Sequence, residues 1–206
     1  AVSNTVLIGV EAGNAALTAD ADGSILIGYH AGRVMTTGRY NVGIGYEALK
    51  TNVDGDKNTA VGYQALKTFE ASIDGRGNNT AVGYVAGKEA TTASGSVFIG
   101  SAAGGTVTTG NMNIAIGYDA QNGATTTGDN NIAIGASAGD ALTSGYDNIF
   151  MGKDAGGAVN SGQNNIILGT NAGKTATTAR ENILIGVEAG EAMTIGRYNI
   201  AIGYQA

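Results

Sequence analysis

The amino-acid sequence predicts an all-β fold, a β-solenoid of twelve coils of about 17 residues each. A block reading Asn-x-x-(Ile/Val)-Gly-x-x-Ala returns along the whole chain, and its glycine occurs twelve times at spacings of 17 to 21 residues. The residues before that glycine are mostly Ile and Val, which favour strands. Gly accounts for 35 of the 206 residues, which disfavours helices. A 17-residue unit is also too short for two-helix repeats or propeller blades.

We number each coil from its repeat glycine, which is position 0. The repeat glycines are Gly9, Gly28, Gly45, Gly62, Gly83, Gly100, Gly117, Gly135, Gly152, Gly169, Gly186 and Gly203. The three residues before each glycine are predicted to form one short strand per coil. Strands stacked about 4.8 Å apart would give a rod roughly 55 Å long, in which every position becomes a column.

Two positions of the coil are nearly constant. Position +3 is Ala in all twelve coils, and position −4 is Asn in nine coils and Ser or Thr in the other three. Stacked Asn side chains bond to one another in cross-β structure, so we expect an amide ladder at a turn. The alternative is that Asn only favours the turn itself.

The strand is apolar on both of its faces, which predicts burial on both. Positions −1 and −3 point to one side of the strand, which we expect to be the inside of the coil. Position −2 would then point outward, and none of its residues is polar, so another copy of the chain must cover it. The predicted interchain apolar strip comprises Leu7, Leu26, Ala60, Ala81, Phe98, Ala115, Ala133, Phe150, Ile167, Leu184 and Ala201. Threefold symmetry suits such a rod, and twofold pairing of flat faces is the other arrangement.

The composition excludes several classes of function. The chain has no Cys and a single His, so disulfides, thiolate nucleophiles and multi-histidine metal sites are excluded within one chain. A net charge of −6 argues against nucleic acid as a partner. No apolar run approaches the roughly 18 residues of a membrane-spanning helix.

Blocks such as residues 58–66 (NTAVGYQAL) and 113–120 (NIAIGYDA) carry a resemblance to known families. They resemble the repeats of phage tail-fibre proteins and the Ser-Val-Ala-Ile-Gly repeats in the heads of trimeric autotransporter adhesins. Both resemblances imply a homotrimeric left-handed parallel β-roll that projects from a virion or cell surface and attaches to a cell. The adhesin heads use a shorter unit of about 14 residues, which favours the tail-fibre resemblance.

The repeats form one predicted domain over residues 1–206, with insertions near 18–24 and 68–79. Because the chain starts and stops in mid-repeat, we expect it to be part of a longer fibre.

Titratable side chains offer few candidates for chemistry. At position +2, acids never fall in consecutive coils, and His30 lies between Glu11 and Glu47. This spacing predicts a solvated column that avoids repulsion between like charges, with no catalytic histidine. Because of this spacing, the column also lacks the two carboxylates about 5 to 9 Å apart that a glycosidase needs.

Longer loops carry the other candidates. Asp54, Asp56, Glu70, Asp74 and Arg76 cluster around the fourth and fifth coils. The runs at 54–57 (DGDK) and 20–23 (DADG) do not match the spaced ligands of a calcium loop, and we interpret both as solvated turns. The run at 169–175 (GTNAGKT) lacks one residue of a phosphate loop and follows the repeat, so we assign it no nucleotide. No metal, cofactor or catalytic residue is expected.

Two columns suggest ligands. Tyrosines that follow the repeat glycine could bind a cell-surface glycan, because Tyr offers sugars an amphipathic face; simple packing is the alternative. These are Tyr29, Tyr46, Tyr63, Tyr84 and Tyr118. Threonines at position −9 suggest ice binding. They are Thr36, Thr91, Thr108, Thr126, Thr143, Thr177 and Thr194.

The sequence therefore predicts an extracellular fibre shaft or adhesin, not an enzyme, that assembles with itself and attaches to a cell surface. An ice-binding solenoid is the first alternative and a polysaccharide depolymerase spike is the second.

Overall fold

The structure is a parallel β-solenoid, in which each coil contributes one three-residue strand. The computed structural model describes residues 4–15, 17, 21–70 and 76–206, and these residues contain no helix. The strands are β1 Val6–Ile8, β2 Ile25–Ile27, β3 Val42–Ile44, β4 Thr59–Val61, β5 Thr80–Val82, β6 Val97–Ile99, β7 Ile114–Ile116, β8 Ile132–Ile134, β9 Ile149–Met151, β10 Ile166–Leu168, β11 Ile183–Ile185 and β12 Ile200–Ile202. The predicted all-β solenoid is confirmed.

All twelve strands lie in one sheet in chain order. Every neighbouring pair is parallel and in register, as in Ile114 opposite Ile132 and Ile132 opposite Ile149. Isolated parallel bridges on another side of the coil, such as Tyr146 with Gln163 and Gln163 with Arg180, also join successive coils. In the described part of the chain, no helix is long and apolar enough to cross a membrane.

The repeat glycine is required by its backbone conformation and by the next coil. Gly135 has a φ of +131°, a value that side chains disfavour. A Cβ there would lie 2.6 Å from the carbonyl oxygen of Gly152 in the following coil. The glycine column therefore lets the coils approach to hydrogen-bonding distance immediately after each strand.

The Asn column forms the predicted amide ladder. Asn131 Nδ2 donates to Asn113 Oδ1 over 3.1 Å, and Asn148 Nδ2 donates to Asn131 Oδ1 over 3.0 Å. Each Oδ1 also accepts the backbone N–H of the next Asn, as Asn113 Oδ1 does from Asn131 N at 2.9 Å. The side chains from Asn41 to Asn182 are fully buried or nearly so. Because a buried amide needs partners, this ladder fixes the register of the coils.

The prediction of which strand positions face inward was wrong. Position −2 points into the coil: Leu26, Ala60, Ala81, Phe98, Ala115, Ala133, Phe150 and Ile167 have no exposed surface, and Leu184 has 1%. Leu7 and Ala201 hold the same position in β1 and β12, which each pair with one strand only, and they retain some exposure. These residues form the core of the single chain and cannot be an interchain strip.

The narrow interior explains the inverted orientation. One residue from each strand shares the core with the buried Ala at position +3, for example Phe98 with Ala103. One inward side chain per strand fits in this space, whereas two Ile or Val side chains per strand would overfill it. The bulky pair at positions −1 and −3 therefore lies outside.

Large and small residues alternate between positions −2 and +4 of the core. Gly43 and Ala60 at position −2 occur with Leu49 and Leu66 at position +4. Phe98 instead occurs with Gly104, and a Cβ on Gly87 of the preceding coil would lie 2.6 Å from the Phe98 ring. Phe150 likewise fills the space above Gly139, where a Cβ would lie 2.7 Å from its ring. The core volume is thus balanced over neighbouring coils.

Candidate functional site

The main surface feature is an apolar face made by the side chains at positions −1 and −3 of the strands, which we call the outer face. None of its residues is charged, and only Thr59 and Thr80 are polar. Its side chains are partly exposed: within the rod, Val82 is 38% exposed and Ile99 is 39% exposed. Parallel, in-register pairing extends this face along all twelve strands. A contiguous exposed apolar patch of this kind often marks an interaction surface.

Four of the five candidate glycan tyrosines form a stacked ladder. Ring centroids lie 5.0 Å apart for Tyr29 and Tyr46, 5.1 Å for Tyr46 and Tyr63, and 5.3 Å for Tyr63 and Tyr84. The His30 ring stacks on Tyr29 with a centroid distance of 3.7 Å. The ring faces inside the ladder are therefore covered by each other, and a ligand there can reach only ring edges and hydroxyl groups.

The fifth tyrosine, Tyr118, lies beyond a break in the ladder. Position +1 is Tyr84, then Ser101, then Tyr118 in successive coils. Tyr118 is 63% exposed, and hydrogen bonding to the Asp119 carboxylate raises the pKa of its hydroxyl group.

The position +2 column forms ion pairs rather than a uniformly solvated row. His30 Nε2 lies 2.9 Å from Glu11 Oε2, and Arg33 Nε lies 3.0 Å from the same oxygen. Glu47 is buried, which corrects the expectation of solvation at that coil.

Glu47 is held by two lysines and an amide. Its Oε1 accepts from Lys50 Nζ at 2.6 Å, and its Oε2 accepts from Lys67 Nζ and Gln64 Nε2, both at 2.8 Å. Burial alone would raise the pKa of Glu47, but these hydrogen bonds and charges lower it to about 2. The group is a structural anion with every oxygen engaged.

The acidic loop residues mostly bond to neighbouring coils. Thr37 Oγ1 donates to Asp54 Oδ1 at 2.6 Å, and the Arg39 backbone N–H donates to Asp56 Oδ1 at 2.7 Å. Burial, aided by the charge of Asp54, raises the pKa of Glu70. The backbone carbonyl of Arg76 accepts a hydrogen bond from the backbone N–H of Asp56. Asp74 and Asp20 lie outside the described residues. The described residues contain no group of three acids or histidines that could hold a metal ion.

The segment that resembles a phosphate loop is one more turn of the solenoid. It follows β10, and Lys174 Nζ lies 3.4 Å from Asn171 Oδ1 and 3.9 Å from Asp154 Oδ2. No helix follows it in the described residues, so it lacks the helix N-terminus that binds phosphate in true phosphate loops.

The hydroxyls of Thr91, Thr108, Thr126, Thr143 and Thr177 at position −9 donate to backbone carbonyls of the next coil. Thr91 Oγ1 donates to Thr108 O at 3.2 Å, and Thr143 Oγ1 donates to Asn160 O at 2.9 Å. These hydroxyl groups therefore stabilise the solenoid, and they do not form a solvent-facing row that is free to bind ice.

Sequence reasoning missed one cleft. An open cleft of about 250 Å³ is lined by Ser137, Asp140, Asp154 and Lys174 among others. Burial is the main reason that the pKa of Asp140 is raised, and the charges of Asp119 and Asp154 add to it. Asp140 stands at position +5 and Asp154 at position +2 of the next coil, so a comparison restricted to one column could not pair them.

The structure thus defines the chain as a parallel β-solenoid repeat protein. Comparison of the chain with protein-family models, with curated proteins and with solved structures gives no match.

Proposed function

We propose that the chain is a structural fibre shaft that assembles as a homotrimer and attaches, outside the cell, to a cell-surface glycan. The observation that carries this proposal is the uncharged outer face along all twelve strands. A rod with this face would be stabilised by burying it against copies of itself.

The outer face runs along the whole rod, so a symmetric assembly would bury it over its full length. Three residues per strand give a width of about 10 Å, and twelve strands give a length of about 53 Å, so the footprint is roughly 500 Å² per chain. Three chains around one axis would together bury on the order of 1,500 Å² of footprint, or about 500 Å² for each of the three pairwise contacts, so the assembly would depend on all three contacts forming together. Identical columns also recur at the same spacing in each copy, which suits a symmetric assembly.

The test is mass in solution by light scattering. The wild type is expected at about 62 kDa, three times the chain mass of 20.5 kDa. Ile116→Asp combined with Ile134→Asp puts charge on the outer face of two neighbouring coils, and we expect it to give folded chains of about 20 kDa, because charge is costly at an apolar interface. The control is Ser144→Asp with Asn160→Asp, at two exposed side chains, which should keep the mass. A wild-type monomer would overturn the proposal.

The two alternatives have separate readouts. Ice binding predicts thermal hysteresis. The hydrogen bonds of the threonine hydroxyls to the next coil argue against this alternative. A depolymerase predicts turnover of capsule or lipopolysaccharide. The cleft residue Asp140, whose pKa is raised beside Asp154, would be its acid, and Asp140→Asn would abolish turnover. The shaft proposal predicts neither activity.

A further inference from the structure

The backbone of the tyrosine column runs without a break from coil to coil, but the row of tyrosine side chains is interrupted at Ser101. β5, β6 and β7 pair in register, so that Val82 lies opposite Ile99, and Ile99 opposite Ile116. Immediately after these strands, Ala102 N donates to Tyr84 O at 2.8 Å, and Asp119 N donates to Ser101 O at 3.1 Å. Tyr84, Ser101 and Tyr118 therefore occupy three successive steps of one column.

The interruption leaves a gap of one step between two tyrosines. Within the ladder, rings in adjacent coils are 5.0 to 5.3 Å apart. Two steps therefore separate Tyr84 from Tyr118 by about 10 Å. Exposure reflects the gap: Tyr84 is 59% exposed and Tyr118 is 63% exposed, against 41 to 43% for Tyr29, Tyr46 and Tyr63.

We propose that the gap over Ser101 binds one hexopyranose ring of a glycan between Tyr84 and Tyr118. The inference rests on the proposed attachment function and assigns the sugar-contacting role to one place in the column. A six-membered ring inserted there occupies the step that a tyrosine ring occupies elsewhere in the ladder. Its C–H faces contact aromatic rings on both sides.

The polar groups around the gap favour a sugar over a simple arene. The Ser101 side chain is partly exposed at its floor, and the Asp119 carboxylate lies beside Tyr118 at its rim. Asn122 Nδ2 donates to Asp119 Oδ1 at 3.0 Å, which fixes that carboxylate in place. Hydroxyl and carboxylate groups pair with the hydroxyls of a sugar, whereas an arene would leave them without a partner.

The test measures binding of methyl glycosides of glucose, galactose, mannose and N-acetylglucosamine by shifts of tyrosine ring protons in NMR. We expect at least one glycoside to shift the Tyr84 and Tyr118 signals saturably in the millimolar range, as befits a single sugar ring. Ser101→Tyr completes the ladder and should weaken binding at least tenfold. Ser101→Ala keeps the gap open and serves as the matched control, which should retain most of the binding.

A gain of function provides an independent arm. Tyr46→Ser opens a second gap of the same geometry between Tyr29 and Tyr63, so it should add a second site, seen as saturable shifts of those two rings. No saturable shift with any glycoside, or equal shifts in Ser101→Tyr and wild type, would overturn the inference. So would binding of p-cresol in the gap without binding of any glycoside.

These readouts are separate from the test of the shaft. Assembly is read as mass, and gap binding is read as ring shifts that respond to Ser101→Tyr. A trimer without glycoside binding contradicts only the gap, and a monomer that binds glycoside contradicts only the shaft.

Discussion

Glu47 is a buried carboxylate whose two oxygens accept hydrogen bonds from Lys50, Lys67 and Gln64. Its pKa is about 2 in the folded chain, against an ordinary value of 4.5. A lowered pKa contributes stability above pH 4.5, and this contribution disappears as the pH falls toward 2. The residue therefore links the stability of the third and fourth coils to pH.

We expect Glu47→Gln to destabilise the fold by about 1 to 3 kcal/mol at pH 7, because it leaves two lysines without their anion. The difference from wild type should shrink as the pH is lowered from 4.5 toward 2, as measured by chemical denaturation. Glu89→Gln is the control, since Glu89 pairs with Lys88 at 3.1 Å in an exposed position. A pH-independent difference would contradict the assigned pKa.

Gln121 is a buried amide in a core position. It stands at position +4, where Leu49 and Leu66 stand in other coils, and it has no exposed surface. Neither its Nε2 nor its Oε1 has a hydrogen-bond partner within the described protein. A buried amide without partners is costly.

Gln121→Leu should therefore raise the free energy of unfolding by about 1 to 3 kcal/mol, because it removes the unsatisfied polar atoms and keeps the volume. The readout is the midpoint of chemical denaturation, compared with Gln121→Ala, which leaves a cavity and should gain less or lose stability. A loss of stability in Gln121→Leu would show that the amide has a bonded partner inside the coil.

Within one coil, the side-chain volumes at positions −2 and +4 compensate each other, as the pair Phe98 and Gly104 shows. Phe98→Ala should cost about 3 to 5 kcal/mol, since Phe98 has no exposed surface and also fills space beside Gly87. Adding Gly104→Leu to that variant recreates the Ala60 and Leu66 combination of the fourth coil and should recover part of the loss. Gly104→Leu alone should destabilise by overpacking against Phe98.

A double variant no more stable than Phe98→Ala would contradict the pairing of positions −2 and +4. The double-mutant cycle, measured by chemical denaturation, separates this coupling from the two single effects.

Much of the coil could be predicted from sequence because each feature is tied to one repeated residue. The short strand follows from the apolar residues before each repeat glycine, and the amide ladder follows from the Asn at position −4, as at Asn131. The orientation of the strand could not be predicted from polarity, because a strand such as Ile132–Ile134 is apolar on both sides. Polarity therefore gives no preference for either face.

A signal for the orientation was present in side-chain volume. Phe98 and Phe150 each occur with Gly at position +4, whereas Gly43 and Ala60 occur with Leu there. Such compensation is expected between residues that share a core and not between a core residue and an outward one. The ion pairs of Glu47 and the cleft at Asp140 could not be predicted, because they join different positions of neighbouring coils.

At the scale of the whole molecule, the coils stack into one rod with nearest-neighbour contacts only, since each inner strand pairs with the strand before it and the strand after it. Such a rod gains stability coil by coil. Its apolar interior is narrow, and its bulkiest aliphatic side chains lie outside, on the outer face. We therefore expect assembly to contribute a large part of its stability.

The most direct test of this account is a cysteine placed at the centre of the outer face. The chain has no Cys, so Ile116→Cys in the seventh strand gives a single thiol, and Ser144→Cys at an exposed turn gives the control. If outer faces pack against each other in a trimer, mild oxidation should link two of every three Ile116→Cys chains into a pair of about 41 kDa on a non-reducing gel, because a disulfide requires Cα atoms within about 7 Å. The Ser144→Cys chains should stay single. Unlinked Ile116→Cys chains, or equal linking of the two variants, would contradict the account.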